Sequence, residues 1–374
     1  MSAVIVAYAR SPFTPANRGA LAKTRPDDIA ASVVNRLISD VGIDPSLVDD
    51  LIVGCAFPEA EQGYNLARII TFLTDLPETV PGVTINRFCG SSMQSIHDAA
   101  ARINSGQGDA FIAGGVESMS RVPMTGFNPM PNPELADEAM TSMGITAENL
   151  SKRHDIDREA QEAFAIESQA RAATARESGG FADEIVAIET IDGAVQEDGC
   201  IRPGTNAEAL GKLRPAFDAN GTVTAGTSSP LTDGAAFVFV CSEDFAAEHG
   251  LKPMARIKSA AVSGCAPEIM GIGPVSASRK ALERAGLSLD DIDLIELNEA
   301  FAAQSLAVIG ELGLDRAKVN IEGGAIALGH PLGASGARIT GKAAQLMQKN
   351  GAEHALATLC VGGGMGMATV LERV

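Results

Sequence analysis

Three observations predict an α/β fold made of two similar halves. Short β-rich runs alternate with alanine-rich stretches of helical spacing, the pattern of strands joined by crossover helices. One helix-turn-strand unit recurs at a fixed offset along the chain. The length, 374 residues, exceeds what one hydrophobic core fills and implies two or three packed units.

Val4 to Ala9, Asp50 to Val53, Ala110 to Ala113, Ala236 to Cys241, Asp293 to Leu297 and Ala355 to Cys360 read as buried strands bounded by glycine or charge. Ile29 to Val41, Ser92 to Ile103, Ser276 to Ala285 and Ala337 to Gln348 carry helical spacing. The repeat sets Val41-Gly42-Ile43 and Val48-Asp49 against Ala285-Gly286-Leu287 and Ile292-Asp293, and 286 − 42 = 244 holds without a gap through Ala56-Phe57 and Ala300-Phe301. Each copy reads as a helix, a glycine C-cap, an acidic turn and a strand. A looser match aligns the helix and strand before Gly114-Gly115 with those before Gly362-Gly363. Chance recurrence of one common unit is the competing explanation.

Met119 to Leu231 is richer in proline, methionine, asparagine and charge, holds one good helix from Arg158 to Arg176, and reads as an inserted lid. The expected division is therefore 1–118 plus 232–252, then 119–231, then 253–374.

Composition excludes several classes. With 45% hydrophobic residues and 39 glycines the chain buries enough apolar surface to fold. Its 47 acidic against 29 basic residues, a net charge of −18, oppose nucleic-acid binding, which needs a cationic surface. The six cysteines come no closer than 265 − 241 = 24 residues, so no C-x-x-C metal or redox pair exists, and they read as reduced intracellular thiols. The start lacks a basic leader and a small-residue cleavage site, and no apolar run approaches the roughly 20 residues a bilayer span needs, so a cytoplasmic protein is expected.

Four places could carry chemistry. Cys89 lies in Asn86-Arg-Phe-Cys-Gly-Ser-Ser-Met, between an extended run and a helix whose Met93, Ile96, Ala100 and Ile103 keep helical spacing. A helix amino terminus favours thiolate, although an isolated cysteine is also commonly a small buried hydrophobe. His330 is surrounded by five glycines in Gly323-Gly-Ala-Ile-Ala-Leu-Gly-His-Pro-Leu-Gly-Ala-Ser-Gly, which suits a loop facing a ligand. His97, His154, His249 and His354 read as surface or core residues. Cys360 ends a strand and enters Val361-Gly-Gly-Gly-Met-Gly, which is either a tight turn or a proton carrier beside exposed amides. Asn298 opens Asn-Glu-Ala-Phe-Ala after a strand, where a helix N-cap is the plain alternative.

Three local matches are discounted. Gly336-Ala-Arg-Ile-Thr-Gly-Lys-Ala approximates a phosphate-binding loop, but Ala343 replaces the hydroxyl that would hold magnesium. No dinucleotide-binding glycine fingerprint follows a strand. The glycosylation sequons at Asn149 and Asn220 are irrelevant in a cytoplasmic chain.

Cys89-Gly-Ser-Ser-Met, Asn298-Glu-Ala-Phe, Gly329-His-Pro-Leu-Gly-Ala-Ser-Gly and Cys360-Val-Gly-Gly-Gly-Met-Gly, in this order and spacing, resemble the signatures of the thiolase family over nearly the whole chain. The likeness is greatest to the bacterial degradative 3-ketoacyl-CoA enzymes of fatty-acid β-oxidation. It implies a duplicated βαβαβαββ core with a loop domain and a ping-pong reaction. Cys89, promoted by His330, would attack the 3-keto carbon; Cys360 would protonate the departing acetyl-CoA enolate; CoA would then take the acyl group from Cys89. Asn298 would hold a water that, with His330, faces the thioester oxygen, while the amides of Cys89 and Gly362 would face the oxyanion on the acyl carbon.

The resemblance also implies coenzyme A as substrate, with no tightly bound cofactor and no metal. Arg202 and Ser229 would contact its nucleotide and pantetheine parts, Phe217 and Ala225 would line the slot, and Met143 and Phe301 would pack near the acyl or pantetheine end. It implies a homodimer, with a tetramer or a complex with a hydratase/dehydrogenase subunit left open. Three features depart from the biosynthetic acetoacetyl-CoA enzymes: Ser142 where many have histidine, Ser92 where they commonly have glycine, and a short Arg121 to Met140 segment. Besides that biosynthetic role, a decarboxylating ketoacyl synthase, a Cys–His hydrolase and a non-catalytic acyl-CoA or sterol carrier remain as competing readings. Cys360 counts against the synthase, and retention of Cys89, His330 and Cys360 together counts against the carrier.

Overall fold

The computed structural model describes residues 2–135 and 137–374. Its strands are β1 Ala3–Arg10, β2 Thr14–Pro15, β3 Asp50–Gly54, β4 Gly82–Ile85, β5 Ala110–Ser118, β6 Ile188–Thr190, β7 Gly193–Val195, β8 Thr232–Ser242, β9 Ala255–Gly264, β10 Leu294–Leu297, β11 His354–Val361 and β12 Met365–Glu372. The α-helices are α1 Pro26–Val41, α2 Leu66–Phe72, α3 Ser91–Asn104, α4 Met143–Arg153, α5 Arg158–Glu177, α6 Ala207–Gly211, α7 Glu243–Glu248, α8 Gly273–Ala285, α9 Ala302–Leu312, α10 Ala325–Leu328 and α11 Leu332–Asn350.

The strands run β4-β3-β5-β8-β1 and then β9-β12-β11-β10, with β2 added beside β8. Only two residue pairs, Val4 with Arg256 and Ile5 with Ala255, join β1 to β9, so the sheet is two half-sheets meeting at a narrow seam. In each half the crossover strands are parallel and the remaining pairs antiparallel. Alternating side chains explain the layering. One face of the first half-sheet packs on α1 and α2, with Ile29, Val33, Leu37 and Phe237 buried there. The other face shares a core with α3, α11 and the second half-sheet. The far side of that second half-sheet packs on α8 and α9.

The repeat is real and more exact than the sequence match. Gly42 and Gly286 end α1 and α8 with φ 69° and 70°, the left-handed conformation that favours glycine. Asp49 Oδ2 accepts the backbone N–H groups of Asp109 and Ala110, and Asp293 Oδ2 those of Glu353 and His354, so 353 − 109 = 244 carries the offset on to β5 and β11. Gly114-Gly115 and Gly362-Gly363 are therefore four residues out of register, and the looser alignment is corrected. Helices α3 and α11 cross at their starts. There the Ala337 N–H donates to Ser92 Oγ at 2.9 Å and Gly336 lies against Met93. Since 337 − 93 = 336 − 92 = 244, each contact is the image of the other under the repeat.

The segment between β5 and β8 carries α4, α5, α6 and the β6–β7 hairpin. Buried ions tie it to both halves. Arg10 donates to Glu184 at 2.6 Å and to Asp198 at 2.7 and 2.8 Å, and Lys342 of α11 donates to Glu184 at 2.8 Å.

Candidate active site

Cys89 sits on a bend built by short polar side chains. After β4, Asn86 Oδ1 accepts the Phe88 N–H at 2.8 Å while its Nδ2 donates to the Ala56 carbonyl at 3.0 Å. Ser91 Oγ accepts the Arg87 N–H at 2.9 Å and donates to the Phe88 carbonyl at 2.6 Å. These bonds hold Phe88 at φ 44°, a conformation that costs a bulky residue energy and persists only where its surroundings enforce it. Cys89 follows, half-buried, and α3 begins two residues later. Gly90 lets the bend press on the second half: a Cβ there would lie 2.9 Å from Val361 Cγ2 and 2.4 Å from Met367 Sδ.

His330 arrives from that second half, buried to 5% exposure, with its backbone N–H donated to Thr232 Oγ1 at 3.1 Å. Its Nδ1 lies 2.6 Å from Ser335 Oγ, and Ser335 gives its own proton to the Pro331 carbonyl at 2.9 Å. The serine must accept, so Nδ1 carries the hydrogen and Nε2 keeps a free lone pair. Asn298 Nδ2 lies 3.4 Å from that Nε2. The Asn298 carbonyl oxygen is buried without a partner, and α9 starts at Ala302 with Phe301 as its uncapped N-cap. Asn298 is therefore not a helix cap. It is an amide aimed at the histidine with an unused acceptor.

Cys360 lies at the carboxyl end of β11, 1% exposed. Burial pushes the Cys89 thiol up to about 11, against hydrogen bonds from the Gly362 N–H and its own N–H that favour the thiolate. Burial pushes Cys360 higher still, and the nearby Cys89 adds to the shift. Burial, and then the Arg338 charge, lower His330 to about 3. The thiolate expected at a helix start is thus not the resting form. Desolvation outweighs the amide contacts, and the site rests as neutral thiol beside neutral imidazole.

Cys89, His330 and Cys360 line one cleft of about 740 Å³, open to solvent and walled mainly by apolar side chains. Of the residues expected to touch CoA, Met143, Phe217, Ser229 and Phe301 line this same cleft. Phe217 meets Phe301 edge-on with centroids 5.7 Å apart. Ser229 gives both its N–H and hydroxyl to the Ala300 carbonyl, at 3.0 and 3.1 Å. Arg202 and Ala225 line a neighbouring cleft of about 760 Å³, which shares Ser228 and Pro230 with the first. Ser142 also lines the reactive cleft, whereas Ser92 is buried at the α3–α11 crossing. Among the described residues no cluster could hold a metal ion, and no helix is long and apolar enough to cross a membrane.

Sequence reasoning missed Ser335 and Thr232 as supports of His330. Ser335 was visible five residues after the histidine; Thr232 is brought there only by the return of β8. It also missed Met119 and Leu332, which line the cleft beside Cys89.

A duplicated α/β sheet that brings a cysteine, a histidine and a second cysteine to one cleft is the arrangement of a thiol-dependent acyltransferase. The thiolase N-terminal domain family model matches residues 3–244 and the thiolase C-terminal domain model residues 251–373, so the chain belongs to the thiolase family. It is 48% identical to the 3-ketoacyl-CoA thiolase of Bacillus subtilis and 51% identical to that of Idiomarina loihiensis, with 99% of both chains covered in each comparison. The crystal structure of human mitochondrial 3-ketoacyl-CoA thiolase superposes with a TM-score of 0.93 at 39% identity, covering 100% of this chain and 99% of that one. The Bacillus anthracis acetyl-CoA acetyltransferase gives 0.92 at 41% identity, with the same coverage.

Proposed function

We propose that this enzyme cleaves 3-ketoacyl-CoA with CoA to acetyl-CoA and a shortened acyl-CoA, as in fatty-acid β-oxidation. The observation that carries the reading is the convergence of two protonated thiols and a neutral imidazole on one apolar cleft. His330 Nε2 takes the Cys89 proton as sulfur attacks the 3-keto carbon. Neutral groups sharing one cleft suit this step, because charge appears only as the new bond forms. The amides of Cys89 and Gly362, already directed at the sulfur, stabilise the oxyanion on the attacked carbonyl.

The C2–C3 bond then breaks, its electron pair passes to C2, and the Cys360 thiol protonates that carbon. This leaves acetyl-CoA and an acyl group on Cys89. The Cys360 thiolate next takes the proton of an incoming CoA thiol. That sulfur attacks the acyl carbon, and Cys89 departs and recovers its proton from His330. Asn298 serves the other oxyanion: its unpaired buried oxygen accepts from a water that, with His330, donates to the enolate oxygen. CoA is a substrate, with Arg202 and Ala225 beside its nucleotide end, Ser229 and Phe217 along the pantetheine, and Met143 and Phe301 nearest the reacting carbons.

The segment 119–231 works as the lid over the halves 1–118 plus 232–252 and 253–374. A cytoplasmic homodimer is the working form, since β4 ends the sheet with an outer edge that a second copy could pair. The test is CoA-dependent loss of enolate absorbance with acetoacetyl-, 3-ketohexanoyl- and 3-ketohexadecanoyl-CoA. Turnover that disappears in Cys89→Ala supports the reading; no turnover of any of the three, with Cys89 shown to be free, sinks it.

A further inference from the structure

Glu117 lies near the end of β5, 1% exposed, and its carboxylate is bonded both to the loop beneath the Cys89 bend and to the helix that carries the His330 turn. Resting on the thiolysis reading above, we propose that Glu117 is a positioning residue, which clasps the two halves at the reacting pair and sets the approach of Cys89 to His330.

The contacts define an anion. Glu117 Oε2 accepts the Ala56 and Gly333 N–H groups, both at 2.8 Å. Its Oε1 accepts from Gln62 Nε2 at 2.8 Å and from the Phe57 N–H at 3.3 Å, with the Cys55 thiol at 3.7 Å. Gln62 is turned the right way for this, because its own oxygen accepts the Ser118 N–H at 2.6 Å. All of these neighbours but the thiol can only donate, so a proton on the carboxyl would have no good acceptor. Burial raises the Glu117 carboxyl, and the hydrogen bonds oppose that rise. Four amide donors thus take the place of a counter-ion.

The two Oε2 bonds lead to the two reacting groups. The Ala56 carbonyl accepts Asn86 Nδ2 at 3.0 Å, and Asn86 Oδ1 accepts the Phe88 N–H at 2.8 Å, beside Cys89. On the other side Gly333 is the second residue of α11, between His330 and the Ser335 that holds its ring. A helix start favours a carboxylate, and the approach is close: a Cβ on Gly333 would lie 2.8 Å from Glu117 Oε2. The repeat supplies no equivalent from the second half, since 117 + 244 = 361 and position 361 is valine.

The carboxylate does not activate the sulfur. Burial first, and then the Glu117 charge, raise the Cys89 thiol, so removing the charge alone would help Cys89 ionise. Nor does Glu117 line the reactive cleft. What it supplies is geometry, and a misplacement of about 1 Å between reacting groups costs about 100-fold.

The experiment measures thiolysis of 3-ketohexanoyl-CoA by wild type, Glu117→Gln, Asn86→Ala and the double variant, with thermal unfolding run beside it. Glutamine keeps the size but turns one acceptor into a donor, so half of the clasp is lost. Glu117→Gln should lower kcat about 30-fold or more and leave KM for both substrates within about twofold. Asn86→Ala cuts the same path to the bend and should lower kcat about tenfold. Because the path is shared, the double variant should stay within about threefold of Glu117→Gln, where independent losses would multiply. A role in stability alone would shift the unfolding temperature without this coupling in kcat. A folded Glu117→Gln enzyme with kcat within about twofold of wild type, or faster, overturns the clasp, as do losses that multiply or that fall mainly on KM. Should Glu117→Gln not fold, Asn86→Ala, at an exposed position, decides: kcat within about twofold of wild type overturns the path to Cys89 and the clasp with it. Wild-type turnover that the variants leave unmoved rejects the clasp and leaves thiolysis standing, whereas no wild-type turnover rejects both.

Discussion

Removing the Ser335 hydroxyl isolates the state of His330 from every other part of the site. In the wild type the serine accepts from Nδ1 at 2.6 Å and cannot donate, because its proton is committed to the Pro331 carbonyl. In Ser335→Ala the imidazole has two choices. It can keep Nδ1–H with no partner, a buried unmade hydrogen bond that costs about 1–3 kcal/mol. Alternatively it moves the hydrogen to Nε2, which can then no longer accept the Cys89 proton. Either way the competent form loses about 2 kcal/mol, or roughly 30-fold in kcat. KM should stay within about twofold, because Ser335 does not line the cleft. Ser335→Thr keeps an oxygen able to make both contacts and should recover activity to within about threefold of wild type. Steady-state thiolysis across pH measures this, with thermal unfolding run beside it. A folded Ser335→Ala enzyme within twofold of wild type, or a threonine variant as slow as the alanine one, would refute the tautomer argument.

Three further outcomes are expected. Cys360→Ala should still take an acyl group from acyl-CoA onto Cys89, seen by peptide mass, yet lose C–C cleavage at least about 100-fold, as for loss of a general acid; unchanged thiolysis refutes the role of Cys360. Arg10→Met leaves Asp198 without its buried counter-ion and Glu184 with Lys342 alone, and should cost about 3–5 kcal/mol in a urea titration; a change below about 1 kcal/mol would contradict that burial. Acid stability turns on groups of opposite sign. His97 and His330, both lowered to about 3 by burial, leave the unfolded chain binding two more protons from pH 6.5 downward, so stability falls as pH drops. Glu296, raised to about 7 by burial, binds a proton in the folded state between about pH 7 and 4.5 and offsets one of these. His97→Gln should therefore flatten stability against pH by one proton, about 1.4 kcal/mol per pH unit, and an unchanged slope counts against a neutral buried His97.

The sequence showed the fold wherever an element was strongly patterned. The buried strands and the helices α1, α3, α5, α8 and α11 all stand where spacing placed them. Strands β9 and β12 escaped notice for different reasons. In β9 the residues Ala255–Gly264 are half-exposed and mixed in polarity, and β12 starts straight out of a triple-glycine turn that reads as loop. At the site, residue type and neighbouring glycines pointed to Cys89, His330 and Cys360, but their protonation states were not legible. A helix start argued for a thiolate, and the degree of burial, a tertiary property, reversed the sign. Thr232 could not be found at all, since it lies 98 residues from His330 in the chain and only the folded arrangement brings the start of β8 there.

The duplication also explains why the chemistry is asymmetric on a symmetric scaffold. The helix starts correspond by the same offset: 330 − 86 = 244 pairs His330 with Asn86, and 335 − 91 = 244 pairs Ser335 with Ser91. In both halves the serine closes a turn through a backbone carbonyl, to Phe88 in one and to Pro331 in the other. The counterpart of Cys89 is Gly333, which cannot carry a side chain: its Cβ would lie 2.4 Å from the Val116 carbonyl, and its N–H is given to Glu117 at 2.8 Å. A nucleophile thus fits in the first half only. The halves differ just upstream as well. Gly82 pairs with Leu51, but Val319 pairs with Ile295, so the offset there is 319 − 82 = 237, and the second half gains seven residues before His330. Those residues belong to the glycine-rich loop that delivers the imidazole. One half lost the room for a sulfur and gained the loop for a base, so the crossing of α3 and α11 brings together two groups that neither half could supply alone.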